Sequence, residues 1–73
     1  MAEQNRSIAF EALIPMITER LKRAHDTAAA AASIAAAGNR ESAFRILLDI
    51  EEPTFQASTL LNAISVIHRD GQD

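Results

Sequence analysis

Few side chains in this chain could carry chemistry near neutral pH. It has two histidines, His25 and His68, and no cysteine or tyrosine. His25 is followed by Asp26, a sequence neighbour and not a partner one helical turn away. His68 stands close to the C-terminal end of a helical segment, where a cation interacts well with the helix dipole. In a folded-back chain the two fall in different regions, beyond the reach of a shared metal or a catalytic pair. Structural roles are expected for both.

The carboxylates Asp49, Glu51 and Glu52 form an acidic cluster, but a hard-cation site needs more oxygen ligands in a defined loop. A zinc site of the usual kind needs Cys and His ligands that this chain lacks. No nucleophile–base arrangement, glycine-rich phosphate loop or paired-acid spacing is recognisable. The expectation is a non-enzymatic chain with no metal, cofactor or small-molecule substrate. On the opposite arm of a hairpin, Arg20, Lys22 and Arg23 would lie near the level of the acidic cluster, so cross-hairpin pairing is expected. Such exposed pairs contribute under about 1 kcal/mol each and serve register and partner choice more than stability.

The elements that must hold these residues are helices. Fifteen alanines, two glycines, two prolines and no tryptophan or tyrosine favour the helix and leave little β-forming content. Gly38-Asn39 reads as a helix stop in the left-handed conformation followed by the cap of the next helix. Pro53, after Glu51-Glu52, is tolerated only in a first turn, where acidic residues also suit the dipole. Gly71 marks the final stop. The reading is a single all-α domain with helix 1 at about 7–37, helix 2 at about 40–50 and helix 3 at about 53–69, with 1–6 and 70–73 as flexible ends. Pro15 should kink helix 1 or mark its true start. Two arms of about 30 residues, roughly 45 Å each, predict a helical hairpin with a kinked second arm. A three-helix arrangement turned at Pro53 is the variant, and either is expected to form a dimeric helical bundle.

Helix 1 carries a 4-3 repeat, Phe10, Ile14, Ile17, Leu21, Ala24, Ala28, Ala31 and Ala35, which makes a seam for a packed neighbour. Its small second half calls for large side chains from the other wall, for which helix 2 offers Phe44, Leu47 and Leu48. Helix 3 has no charged residue from Phe55 to His68, and its apolar residues cover most of its circumference. Only Ser58, Asn62, Ser65 and Arg69 form a polar strip. A helix apolar nearly all round is buried on several sides, and a hairpin offers it one neighbour. The expected protein-contact set is therefore Phe55, Leu60, Leu61, Ile64 and Ile67, with Phe44 and Ile50 alongside.

A chain of 73 residues buries a modest fraction of its surface, and small domains are commonly supplemented by disulfides, metals or oligomerisation. Without cysteine, oligomerisation is the remaining device. The net charge of −3 argues against a general polyanion binder, and helix 3 supplies no cation before Arg69 to meet a phosphate backbone. No segment is long and apolar enough to span a bilayer and the N-terminus lacks a signal core, so a cytoplasmic setting is expected. In size, helix content and over-apolar C-terminal helix, the chain resembles small bacterial antiactivators, which occlude transcription factors. That resemblance is one of physical class and rests on no motif. It implies a homodimer that modulates another protein. The alternative expectation is a helical hairpin dimer binding RNA or DNA through Arg20, Lys22 and Arg23.

Overall fold

The computed structural model of the chain describes residues 2–70. Three helices follow in order, α1 (Ala2–Ala36), α2 (Arg40–Leu48) and α3 (Glu51–Asp70). Both α2 and α3 pack against α1, in a rod 56 × 14 × 13 Å across. The expected hairpin is thus present, its second arm bent between α2 and α3, and among the described residues there is no strand.

The turn at the closed end forms for the reasons its residues suggest. Gly38 takes φ 96°, a conformation that costs residues with a Cβ about 1–2 kcal/mol. The Gly38 N–H then donates to Ala35 O at 2.9 Å and the Asn39 N–H to Ile34 O at 3.2 Å. Two of the carbonyls orphaned at the end of α1 are satisfied in this way. Asn39 caps α2, its Oδ1 accepting from the Ser42 N–H at 3.1 Å.

At the bend, Pro53 has no N–H to give to the carbonyl of Asp49, so a continuous helix would be interrupted there. The chain tightens instead. Asp49 N–H donates to Ile46 O and Ile50 N–H to Leu47 O at 3.0 and 3.1 Å. The new helix begins at Glu51, with Pro53 inside the first turn, where a missing N–H is harmless.

Several boundaries differ from the sequence expectation. Residues 2–6, expected as a flexible end, are helical. Pro15 does not mark the start of α1, which is one element from Ala2 to Ala36. Pro15 is exposed, so the Glu11 carbonyl it deprives of a helical partner lies on the solvent side of the helix. α3 starts two residues before Pro53 and continues through Asp70. Gly71 and the rest of the expected C-terminal end lie outside the described residues.

The seam between the arms is regular. On α1 the shielded positions are Phe10, Leu13, Ile17, Arg20, Ala24, Thr27, Ala31 and Ile34. On the second arm they are Ala43, Ile46, Ile50, Pro53, Ala57, Leu60, Ile64 and Ile67. Beyond these, only Ala9, Ala28, Ser42 and Gln56 escape full exposure within residues 4–70. Both columns step by three and four in strict alternation, uninterrupted by the bend, which is the spacing of a helix pair that stays in contact along its length. Counted outward from Gly38-Asn39, they match level for level, Ile34 with Ala43 through to Phe10 with Ile67. The Phe10 and His68 rings, 6.5 Å apart between centroids, fix that register at the open end.

This seam corrects the expected one. The 4-3 repeat contains Phe10, Ile17, Ala24 and Ala31, which are shielded, but also Ile14, Leu21 and Ala35, which are exposed. The true partners of the shared four are Leu13, Arg20, Thr27 and Ile34. Two polar residues in the second column disguise its phase. The side chains facing the small half of α1 from α2 are Ala43 and Ile46. Phe44, Leu47 and Leu48, expected there, are exposed.

Candidate functional site

The interior that this seam creates is thin. The buried hydrophobic residues are Ala31, Ala43 and Ala57, at 2, 4 and 6 % relative exposure, joined by Pro53. No large side chain among the described residues is fully buried. The accessible surface is 5562 Å², against about 4,400 Å² for a compact monomer of this mass. The hairpin therefore exposes roughly 1,100 Å² more than such a monomer.

Several of the exposed large apolar side chains fall into two regions. The first is one flank of the rod. In an antiparallel pair the residues that follow Leu13, Arg20, Thr27 and Ile34 on α1, and Ile46, Pro53, Leu60 and Ile67 on the second arm, lie on the same side of both helices. On α1 these are Ile14, Leu21, Ala28 and Ala35, and on the second arm Leu47, Thr54, Leu61 and His68. None carries a formal charge at pH 7, and Ile14, Leu21, Leu47 and Leu61 are all prominently exposed. The opposite flank is more polar, with Met16 and Arg23 on α1 and Asp49 and Gln56 on the second arm.

The second region is the outer side of the bend. Phe55 is 69 % exposed and Phe44 58 %, with Leu48 also exposed. A broad, open depression there is lined by Ile50, Glu51, Glu52, Thr54, Phe55 and Ser58. Glu51 and Glu52 of the acidic cluster therefore share this depression with the exposed phenyl ring of Phe55.

The expected contact set divides accordingly. Phe44, Phe55 and Leu61 stand out from the surface. Ile50, Leu60, Ile64 and Ile67 are half-buried in the seam, where the opposite arm already covers them. Ile14, Leu21 and Leu47 were missed as surface residues. The signal that could have found them is the apolar column beside the seam, visible once the seam's phase is assigned from both arms together.

The basic residues are not presented as one patch. Arg20 turns into the seam, its side chain 26 % exposed, while Lys22 and Arg23 are exposed. Ion pairs among the described residues include Arg20–Glu19 at 3.9 Å and Arg45–Glu41 at 3.5 Å, and the His25 ring lies 3.4 Å from the Asp26 carboxylate. All three are local, and the cross-hairpin pairing expected of Arg20, Lys22 and Arg23 with Asp49, Glu51 and Glu52 is not among them. Arg20 and Glu52 do line one cleft, with Met16, Phe55, Gln56, Thr59 and Leu60.

His25 is exposed and His68 stacks obliquely on Phe10, at distant levels of the rod. Among the described residues there is no group of three His, Cys, Asp or Glu side chains placed to hold a metal ion. No helix of the described residues is long and apolar enough to cross a membrane. No protein-family model, curated protein or solved structure matches the chain.

Proposed function

We propose that this chain is a protein-binding regulatory module that works by docking and not by catalysis. It self-associates, acts in the cytoplasm, and modulates a second protein in the manner of an antiactivator. The observation that carries this reading is the mismatch between interior and surface among the described residues: three alanines are the buried hydrophobic core, while ten large hydrophobic side chains are exposed. Grouped apolar side chains at the surface mark interaction sites in soluble proteins. The outer face of the bend, with Phe44, Leu48 and Phe55, is the surface for the second protein. Its acidic rim of Glu51 and Glu52 suits a partner whose apolar groove is bordered by basic residues. A nucleic-acid-binding regulator offers such a border, and a domain of net charge −3 complements it.

The test is capture from host extract with wild type and a Phe44→Ser/Phe55→Ser double variant, both confirmed helical by circular dichroism. These positions are exposed, so the fold should persist. A regulator retained by wild type and lost with the variant is expected. Equal retention by both would remove the bend as the docking face.

A further inference from the structure

We infer that the uncharged flank carrying Ile14, Leu21, Leu47 and Leu61 is where a second copy of this chain docks, forming an antiparallel four-helix bundle with its two-fold axis beside Leu21. The inference rests on the self-association in the proposed function and adds the surface, the orientation and the axis.

Three observations select a second copy as the occupant. The first is area. The surface in excess of a compact monomer is roughly 1,100 Å², and a standard protein interface takes about 800 Å² from each partner. Covering one flank would bring the hairpin close to the exposure normal for its mass.

Charge is the second. The flank has no formally charged side chain at pH 7, so it asks for no complementary charge and meets no repulsion from an identical surface. The acidic rim at the bend could not face itself in this way, because like charges brought together in an interface are unfavourable. A two-fold contact uses the same patch on both subunits, and this flank satisfies that requirement.

The third is shape. Placed by level along the rod, the flank column of α1 runs from bulky Ile14 near the open end through Leu21 near the middle to Ala28 and Ala35 near the closed end, while on the second arm Leu61 lies toward the open end and Leu47 toward the closed end. An axis beside Leu21 runs the two α1 helices antiparallel over one another and sets Ile14 of one copy over Ala28 of the other, bulky on small. Interfaces that pack like protein interiors need that alternation. A parallel arrangement would instead stack Ile14 of one copy on Leu61 of the other at the open end, bulk on bulk. The column on α1 agrees: helices that face two neighbours in a bundle carry a third apolar column beside the two seam columns.

The chain has no cysteine, which makes site-directed cross-linking direct. Leu21→Cys places its thiol beside that of the second copy, within the short span that a disulfide bridges. Phe55→Cys places it on the outer side of the bend. Sedimentation of the wild type at tens of micromolar should give twice the chain mass of 7.9 kDa. Mild oxidation should convert most of Leu21→Cys, and little of Phe55→Cys, to a covalent dimer. Leu21→Glu should abolish the assembly, either as a helical monomer or with loss of helicity, since the remaining core is small. A helical wild-type monomer overturns the inference and the self-association with it. A dimer in which Leu21→Cys fails to cross-link overturns the flank alone. Neither result depends on whether the bend captures a second protein.

Discussion

Arg20 and Gln56 line the same cleft on opposite arms, and each keeps one buried polar atom, Nε and Oε1, without a hydrogen bond inside the chain. Gln56 commits its amide to Glu52, with Nε2 donating to Oε1 at 3.0 Å. Arg20 commits one guanidinium nitrogen to the long contact with Glu19. A cation at a seam position fixes which residues can stand opposite, at a cost in stability. Small Ala57 at the matching level leaves room for the arginine stem. Replacing Arg20 with Leu should therefore raise stability by about 1–3 kcal/mol, the cost of an unsatisfied buried donor. Urea denaturation followed by circular dichroism checks this, and a lowered midpoint would show that the guanidinium stabilises the seam.

Pro15 offers a second route to a more stable chain. It sits exposed inside α1, where proline is about 3 kcal/mol less favourable than alanine. Thr18 is bonded to the neighbouring carbonyl, its Oγ1 donating to Ile14 O at 3.1 Å. Pro15→Ala should raise the thermal midpoint with a gain of up to about 3 kcal/mol. No change on substitution would mean that the local helix had already relaxed around the ring.

The turn should respond to its two residues for different reasons. Around Gly38 an added Cβ meets nothing within 4 Å, so Gly38→Ala costs only backbone strain, about 1–2 kcal/mol. Asn39→Ala removes the cap on the Ser42 N–H and should cost about 1 kcal/mol. Asn39→Asp keeps an acceptor there and should be close to neutral. Denaturant midpoints for the three variants, ranked in this order, check the assignment.

Ala31 and Ala32 are adjacent and should differ sharply. Ala31 is the most shielded of the buried core alanines, level with Ile46 in the seam, whereas Ala32 is exposed. Ala31→Leu should force the arms apart and cost about 1–3 kcal/mol. Ala32→Leu should stay within about 0.5 kcal/mol. Equal effects in thermal unfolding would contradict the seam as described.

The turn and the bend were legible in the chain because each depends on local chemistry. Gly38 supplies a positive φ, Asn39 supplies an acceptor, and Pro53 lacks a donor. The seam was less legible because apolarity alone does not fix its phase. Phe10, Ile17, Ala24 and Ala31 belong to two stripes at once, and the all-apolar stripe through Ile14 and Leu21 looks like the better core. Arg20 and Thr27 mark the real one. The choice between the stripes is made on the other arm, where Ala57 and Ile50 stand at the same levels. That is a long-range fact no single helix contains. Which residues of helix 3 the hairpin covers was illegible for a related reason: Ile64 and Phe55 are similar in hydrophobicity, and only the facing arm separates covered from bare.

The level-for-level pairing about Gly38-Asn39 also gives folding an order. Ile34 with Ala43 closes a short loop, while Phe10 with Ile67 closes one spanning most of the chain, and the entropy of closure grows with that span. Each pair formed brings the next within reach, so the arms should zip from the turn outward, with the His68 ring meeting Phe10 last. Amide protons near residues 9 and 67 should then exchange sooner than those around Ala31 and Ile46, as the open end frays and recloses. A hairpin built on one register thus carries its assembly sequence in its numbering.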